Sequence, residues 1–146
     1  TFKLNTKIFR YLKFKASATY TKGRAYDTNQ PLSSIPPLFG DMSFTYSKSD
    51  IETSIYGRFN GRKKLKDFNL PEGIDNIEQT PFIESTGQYY GTPAWINLNF
   101  YIKSKINKNL DIQLTVSNIL DQHYKEFASS ISAPGRNFTF SVLGNF

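Results

Sequence analysis

The stretch Arg136-Asn137-Phe138-Thr139-Phe140-Ser141-Val142-Leu143-Gly144-Asn145-Phe146 decides the fold. Every second residue, counted back from Phe146, is apolar or small. Phe138, Phe140, Val142, Gly144 and Phe146 share one face of an extended chain. Asn137, Thr139, Ser141 and Asn145 share the other, and Leu143 is the exception. Period-two alternation marks a strand whose two faces meet different solvents. A strand that runs to the last residue with no polar tail differs from the frayed end expected of a soluble domain.

The same pattern repeats along the chain. Phe2 and Leu4 alternate with Lys3 and Asn5, and a bend is expected near Lys7 to Phe9. Leu12, Phe14, Ala16, Ala18 and Tyr20 oppose Tyr11, Lys13, Lys15, Ser17 and Thr19. Met42, Phe44 and Tyr46 oppose Asp41, Ser43 and Thr45. Ile51, Thr53, Ile55, Gly57 and Phe59 oppose Glu52, Ser54, Tyr56, Arg58 and Asn60. Ile96, Leu98, Phe100 and Ile102 oppose Asn97, Asn99, Tyr101, Lys103 and Lys105. Leu110, Ile112, Leu114 and Val116 oppose Asp111, Gln113, Thr115 and Ser117. With the terminal run this predicts seven strands, the first of them truncated, and no helix beyond one short turn within 119–127.

Composition says which solvents these are. The apolar share is 38% and net charge is +6, yet aromatics reach 16%, with 13 Phe and 9 Tyr. Mean hydropathy is negative, at −0.46. Few apolar residues, large ones, on alternate positions is the requirement of a transmembrane β-barrel, with lipid outside and water in the bore. No run approaches the ~18 apolar residues of a membrane helix. In a protein core, Lys13, Lys15, Arg58, Lys103, Lys105 and Asp111 would each need a charge partner or cost several kcal/mol. Facing a wet lumen they cost little.

Connections alternate in length. Ser47-Lys48-Ser49-Asp50 and Asn107-Lys108-Asn109 are rich in turn formers. Residues 23–38, 61–93 and 121–135 form long connections, and loops beyond about 12–15 residues are usually functional. Short turns at one rim and long loops at the other are the layout of outer-membrane barrels.

Several chemistries are excluded or weakened. There is no Cys, so disulfides and thiolate metal sites are ruled out. Basic residues are spread along the chain, with Arg62-Lys63-Lys64 the one cluster, and nucleic acid is not expected as a partner. Asn137-Phe138-Thr139 matches a glycosylation pattern but lies in a membrane strand, so the match is set aside. His123 is the single histidine. It suits a polar loop residue better than a metal site or a Ser/His/Asp cluster with Ser129 or Ser130. Neither a cofactor nor an enzymatic activity is expected. Glu72, Asp75, Glu78 and Glu84 make the longest loop acidic, at spacings that do not fit a calcium loop. Tyr90 and Trp95 are expected as interfacial girdle residues.

Three segments resemble the C-terminal barrel region of TonB-dependent outer-membrane receptors. Ile35-Pro36-Pro37-Leu38-Phe39-Gly40-Asp41-Met42-Ser43-Phe44 is similar to that family's "IPP" lead into a descending strand. Val116-Ser117-Asn118-Ile119-Leu120-Asp121-Gln122-His123-Tyr124 is similar to its "xxNLxDxxY" segment. Ala133-Pro134-Gly135-Arg136-Asn137-Phe138 through Phe146 is similar to its "xPGRxF…F" ending. The resemblance implies an all-β, antiparallel transmembrane barrel fragment, about six to seven strands of a 22-stranded barrel. Residues 1–146 would be the C-terminal part of that barrel, without the plug domain, and an open curved sheet if alone. Such a sheet has two unpaired edges, so no stable fold in water and no independent transport are expected.

The resemblance also implies partners and sites. The location is the outer membrane of a Gram-negative bacterium, in contact with its lipid. Phe138, Phe140, Val142 and Phe146 would form the signal read by the barrel-assembly machinery, with Gly144 departing from it. Arg58, Tyr101, Lys103 and Lys105 are candidate lumen-facing residues. Phe82, Tyr89 and His123 are candidate outer-loop ligand contacts. The TonB energy complex would act through the missing plug. The ligand would be scarce, such as a ferric siderophore, haem or cobalamin. The competing reading from the residues is a small soluble ligand-binding β-barrel with its apolar face sealed inside.

Overall fold

The computed structural model describes residues 1–70 and 77–144. Glu72, Asp75 and Phe146 lie outside the described residues. Among the described residues there are nine strands: β1 (Phe2–Phe9), β2 (Leu12–Thr19), β3 (Phe39–Lys48), β4 (Ile51–Asn60), β5 (Phe82–Ile83), β6 (Gln88–Tyr89), β7 (Trp95–Asn107), β8 (Leu110–Ser117) and β9 (Asn137–Gly144). Seven of them form one antiparallel sheet in the order β1-β2-β3-β4-β7-β8-β9. The short pair β5-β6 stands apart inside the longest loop. The sheet does not close, so β1 and β9 are edges.

Register carries the two-solvent pattern across the whole sheet. One row pairs Phe14, Phe44, Ile55, Phe100, Val116 and Phe138 in turn. A second pairs Leu12, Tyr46, Thr53, Ile102, Leu114 and Phe140. The rings of Phe14 and Phe44 lie 4.6 Å apart. Between these rows, on the opposite face, run Lys13, Thr45, Ser54, Tyr101, Thr115 and Thr139.

The apolar face is not sealed. Phe138 is 69% exposed, Phe140 66% and Ile55 50%. Soluble monomers rarely leave a contiguous apolar surface of this kind open to water. The soluble-barrel reading, which required an enclosed apolar interior, is not met. Most buried side chains instead sit at the loop-bearing end of the sheet, while Asp111 is buried near the tight turn at 108–109. Phe68 and Trp95 are the buried apolar pair, with Asn60, Lys63, Thr92, Asn99 and Asn118 buried among them.

Three tight turns, at residues 10–11, 49–50 and 108–109, lie at one end, and all three long connections lie at the other. Ser49 takes φ 51. The Asn107 side chain accepts a hydrogen bond from the Asn109 amide at 2.8 Å, the Asx geometry that favours Asn in turns. Lys48 and Arg10 both stand over the Tyr11 ring, which meets Tyr46 edge to face.

Two local expectations need correction. The bend near Lys7 to Phe9 is a bulge at which the β1–β2 register shifts; the strand continues to Phe9 and turns at Arg10-Tyr11. β1, like β2, spans eight residues. Single turns of 3-10 helix occur at Leu65–Asp67 and Ile77–Gln79, inside the long loop, where none was expected; the short turn expected within 119–127 falls at its start, where the Asp121 amide donates to the Asn118 carbonyl at 2.8 Å. Gly40 shows how closely β2 and β3 approach. A Cβ there would stand 2.0 Å from the Ser17 carbonyl oxygen and 2.8 Å from the Phe59 ring.

Candidate functional site: the loop-bearing end of the sheet

Asn118 organises this end. It follows the last residue of β8, takes φ 51 and is 1% exposed. Asn tolerates the left-handed region better than other non-glycine residues. Its Nδ2 donates to the carbonyls of Gln122 (3.0 Å) and Pro134 (3.1 Å), and its Oδ1 accepts from the Gln122 amide (3.1 Å). Its own amide donates to Asn99 Oδ1 on β7 at 3.0 Å. One side chain thus ties the start of the last long loop to its end and to the sheet.

Asp121 and Tyr124 repeat that logic. The Asp121 carboxylate accepts from the Arg136 amide at 2.8 Å, and a Cβ on Gly135 would crowd the same oxygen at 3.1 Å. The Tyr124 carbonyl accepts from the Ala133 amide at 2.8 Å. The Tyr124 ring stacks on Trp95 at 4.2 Å, and its hydroxyl accepts from Asn97 Nδ2 at 2.8 Å. So the Asn-x-x-Asp-x-x-Tyr and Pro-Gly-Arg segments form the two halves of a clasp. Trp95 is buried on the polar-face side of β7, opposite Asn60. It is not a lipid-interface girdle residue: the loop covers it.

Trp95 is also the single tryptophan of the chain, which makes the clasp observable. Tyr124→Ala should shift its fluorescence emission to longer wavelength, because removing the stacked ring lets water reach the indole. Tyr124→Phe keeps the ring and should leave the emission near the original. Unchanged emission in the alanine variant would show that Tyr124 does not shield Trp95.

Lys63 is the buried cation of this end, at 3% exposure. Its ammonium donates to the Ile35 carbonyl at 3.0 Å and stands 4.5 Å from the centres of both the Phe68 and Phe127 rings. Residues from all three long loops meet on it. Its neighbour Arg62 lies over the Tyr90 ring at 3.7 Å and donates to the Tyr90 carbonyl. In the sequence Arg62-Lys63-Lys64 is a basic cluster in a loop, and nothing in periodicity marks the middle residue as buried.

The expected site residues separate into groups. Register puts Arg58, Tyr101, Lys103 and Lys105 on the polar face. Arg58 and Tyr101 line a shared trough of about 430 Å³ there. Arg58 pairs with Glu126 of the last loop at 2.9 Å, and Lys103 pairs with Asp111 at 2.8 Å. His123 lines a cleft of about 420 Å³ between residues 80–81, 92–95 and the last loop, with its Nε2 2.9 Å from Ser132 Oγ. Phe82 and Tyr89 do not line that cleft; they pack on each other, edge to face at 5.2 Å. Neither Ser129 nor Ser130 pairs with His123 among the described residues, and these hold no group of acids and histidine that could bind a metal ion. Phe138, Phe140 and Val142 lie side by side on the open face of β9.

No family model and no curated protein matches the sequence. Solved structures do match in fold. The copper transporter OprC aligns over 97% of this chain and 22% of its own, with TM-score 0.71 and 18% identity. A mutant of the ferric enterobactin receptor PfeA from Pseudomonas aeruginosa aligns over 99% and 21%, with TM-score 0.66 and 17% identity. The ferric-catecholate import receptor Fiu from K12 E. coli aligns over 99% and 20%, with TM-score 0.64 and 17% identity. The chain therefore spans about a fifth of each of these proteins. They are transport receptors rather than enzymes. A seven-stranded open sheet, apolar on one side and polar on the other, with all long loops at one end, has the fold of a stretch of the barrel of TonB-dependent outer-membrane receptors.

Proposed function

We propose that residues 1–146 form the C-terminal part of the barrel of a TonB-dependent receptor in the outer membrane of a Gram-negative bacterium. The protein would take up a scarce ligand such as a ferric siderophore, haem or cobalamin. In this reading the apolar face meets outer-membrane lipid, and Arg58, Tyr101, Lys103 and Lys105 face the lumen. The long loops, with Phe82, Tyr89 and His123, lie on the outside where ligand arrives. The plug and the TonB complex that acts on it would be supplied by the rest of the receptor. The alternating exposed residues of β9 would serve the barrel-assembly machinery.

The observation that carries this reading is the open apolar face, continuous in register from Phe14 to Phe138. Lipid is the solvent that makes such a face stable. Alignment over nearly the whole chain with receptors for copper and ferric siderophores supports the transport role.

Uptake of radiolabelled metal chelate by cells carrying the complete gene, before and after the proton gradient is collapsed, tests the proposal. Energy-dependent accumulation that disappears on deletion of the gene is expected. Accumulation of no chelate, vitamin or haem, with the protein found in the soluble fraction, would refute it.

A further inference from the structure

At the tight-turn end, the apolar face finishes on a charge. Along β3 that face is set by Met42, Phe44, Tyr46 and Lys48, and of these and the residues in register with them on the neighbouring strands only Lys48 is charged. Lys48 lies four residues beyond Phe44, about 13 Å along the strand. A barrel's apolar band is about 25 Å tall, so with the Phe44–Ile55 row at its middle Lys48 stands at its edge. There Arg10 and Lys48 converge on one ring, their charged groups 5.3 and 5.4 Å from the centre of Tyr11. Tyr11 in turn meets Tyr46 edge to face at 6.3 Å. We propose that Arg10, Tyr11 and Lys48 form a site for the phosphate diester of a phospholipid whose acyl chains lie along the apolar face. The inference rests on the receptor reading, since that reading puts this face in lipid.

Three features argue for a formed site rather than two solvated cations. First, the charges are uncompensated. Neither Arg10 nor Lys48 makes an ion pair among the described residues. Asp50, in the next turn, pairs with neither, and Glu52 lies on the polar face, where it accepts from the Ser47 hydroxyl at 3.3 Å. Beside hydrocarbon the dielectric is low, and an anionic oxygen there is worth more to a cation than in water. Second, the ring that gathers them is anchored. The Tyr11 carbonyl accepts from the Ser47 amide at 2.9 Å, which carries the β2–β3 pairing into the turn. Attraction to the ring places both cations without cancelling their charge, and the guanidinium fork suits phosphate oxygens. Third, exposed apolar surface adjoins the charges: Phe9, Tyr46 and Ile51 are open at this end of the face. That surface suits an acyl chain and offers nothing to a free inorganic anion, so the anion is that of a lipid.

Native mass spectrometry of the complete protein, released from detergent after titration with phosphatidylglycerol, tests the site. Phosphatidylglycerol should stay bound, and diacylglycerol with the same chains but no phosphate should not. Arg10→Gln and Lys48→Gln should each weaken retention about fivefold. Tyr11→Leu, which keeps both charges and removes the ring that gathers them, should weaken it too. Lys13→Gln with Lys15→Gln takes the same charge from the polar face and should leave retention unchanged. Gel mobility of the folded barrel shows whether each variant still assembles. Equal retention by the wild type and the rim variants overturns the inference. So does retention of inorganic phosphate with no lipid, or of diphosphorylated lipid A with no phospholipid. A fall in dimer rather than in bound lipid also overturns it, since the rim would then be a contact between copies. If the doubly substituted rim variant keeps its phospholipid while cells still import a chelate through it, the inference falls and the receptor reading stands.

Discussion

Ile55→Lys should destabilise the bilayer-inserted protein by about 2–4 kcal/mol, the cost of a cation on a barrel's lipid face near the midplane. Ile55 sits on the central strand β4, flanked by Phe44 and Phe100 and half exposed. In water a half-exposed isoleucine accepts lysine almost freely, since surface changes away from special features usually stay within about 0.5 kcal/mol. The predicted penalty therefore reports the solvent, not the packing. Thr115→Lys is the control. Thr115 lies between Tyr101 and Thr139 on the polar face, and its substitution should change stability by less than about 0.5 kcal/mol. Urea titration of the protein folded in lipid vesicles measures both. Equal small effects at the two positions would mean that both faces meet water.

Asn118→Ala carries the second large effect, confined to the loop end. It removes both carbonyl contacts and the acceptor for the Gln122 amide, in a place 1% exposed. Each buried group left without its partner costs about 1–3 kcal/mol. The alanine also inherits φ 51, a left-handed conformation that adds about 1 kcal/mol of strain. At the low end of these costs the local loss is about 4 kcal/mol, roughly a thousandfold fall in amide exchange protection at Gln122 and Arg136. Asn118→Gly loses the same hydrogen bonds but accepts the backbone angle. It should fall short of the alanine variant by about the strain contribution alone. Exchange rates in the strands β3 and β4 should stay as they were. Protection at Gln122 unchanged in both variants would show that the clasp does not depend on the Asn118 side chain.

The strands were legible because each has two solvents and therefore a strict period of two. Ile51 to Phe59 and Leu110 to Val116 are read to within a residue of their observed limits. The β1 bulge reads in the sequence as a bend because Ile8-Phe9 breaks the alternation. The loop end was legible only through resemblance. Asn118, Asp121 and Tyr124 are spaced in a way that shows no periodicity, and their roles depend on residues 133–136 returning beside them. Trp95 was misplaced for a related reason. An aromatic at a strand end reads as a girdle residue, and only the Tyr124 ring stacked on it reveals a cover. Lys63 was invisible because burial of a cation requires a carbonyl and two rings from separate loops.

A barrel wall in the outer membrane requires the row from Phe14 to Phe138 to touch hydrocarbon. Single cysteines carrying a fluorophore at Ile55 and Phe140, and at Thr115 and Ser54, can be compared in vesicles of ordinary and bromine-labelled lipid. Strong quenching by brominated chains at Ile55 and Phe140, with little at Thr115 and Ser54, is the predicted result. Quenching by a water-soluble agent at Ile55 and Phe140, with no effect of brominated lipid there, would contradict the account.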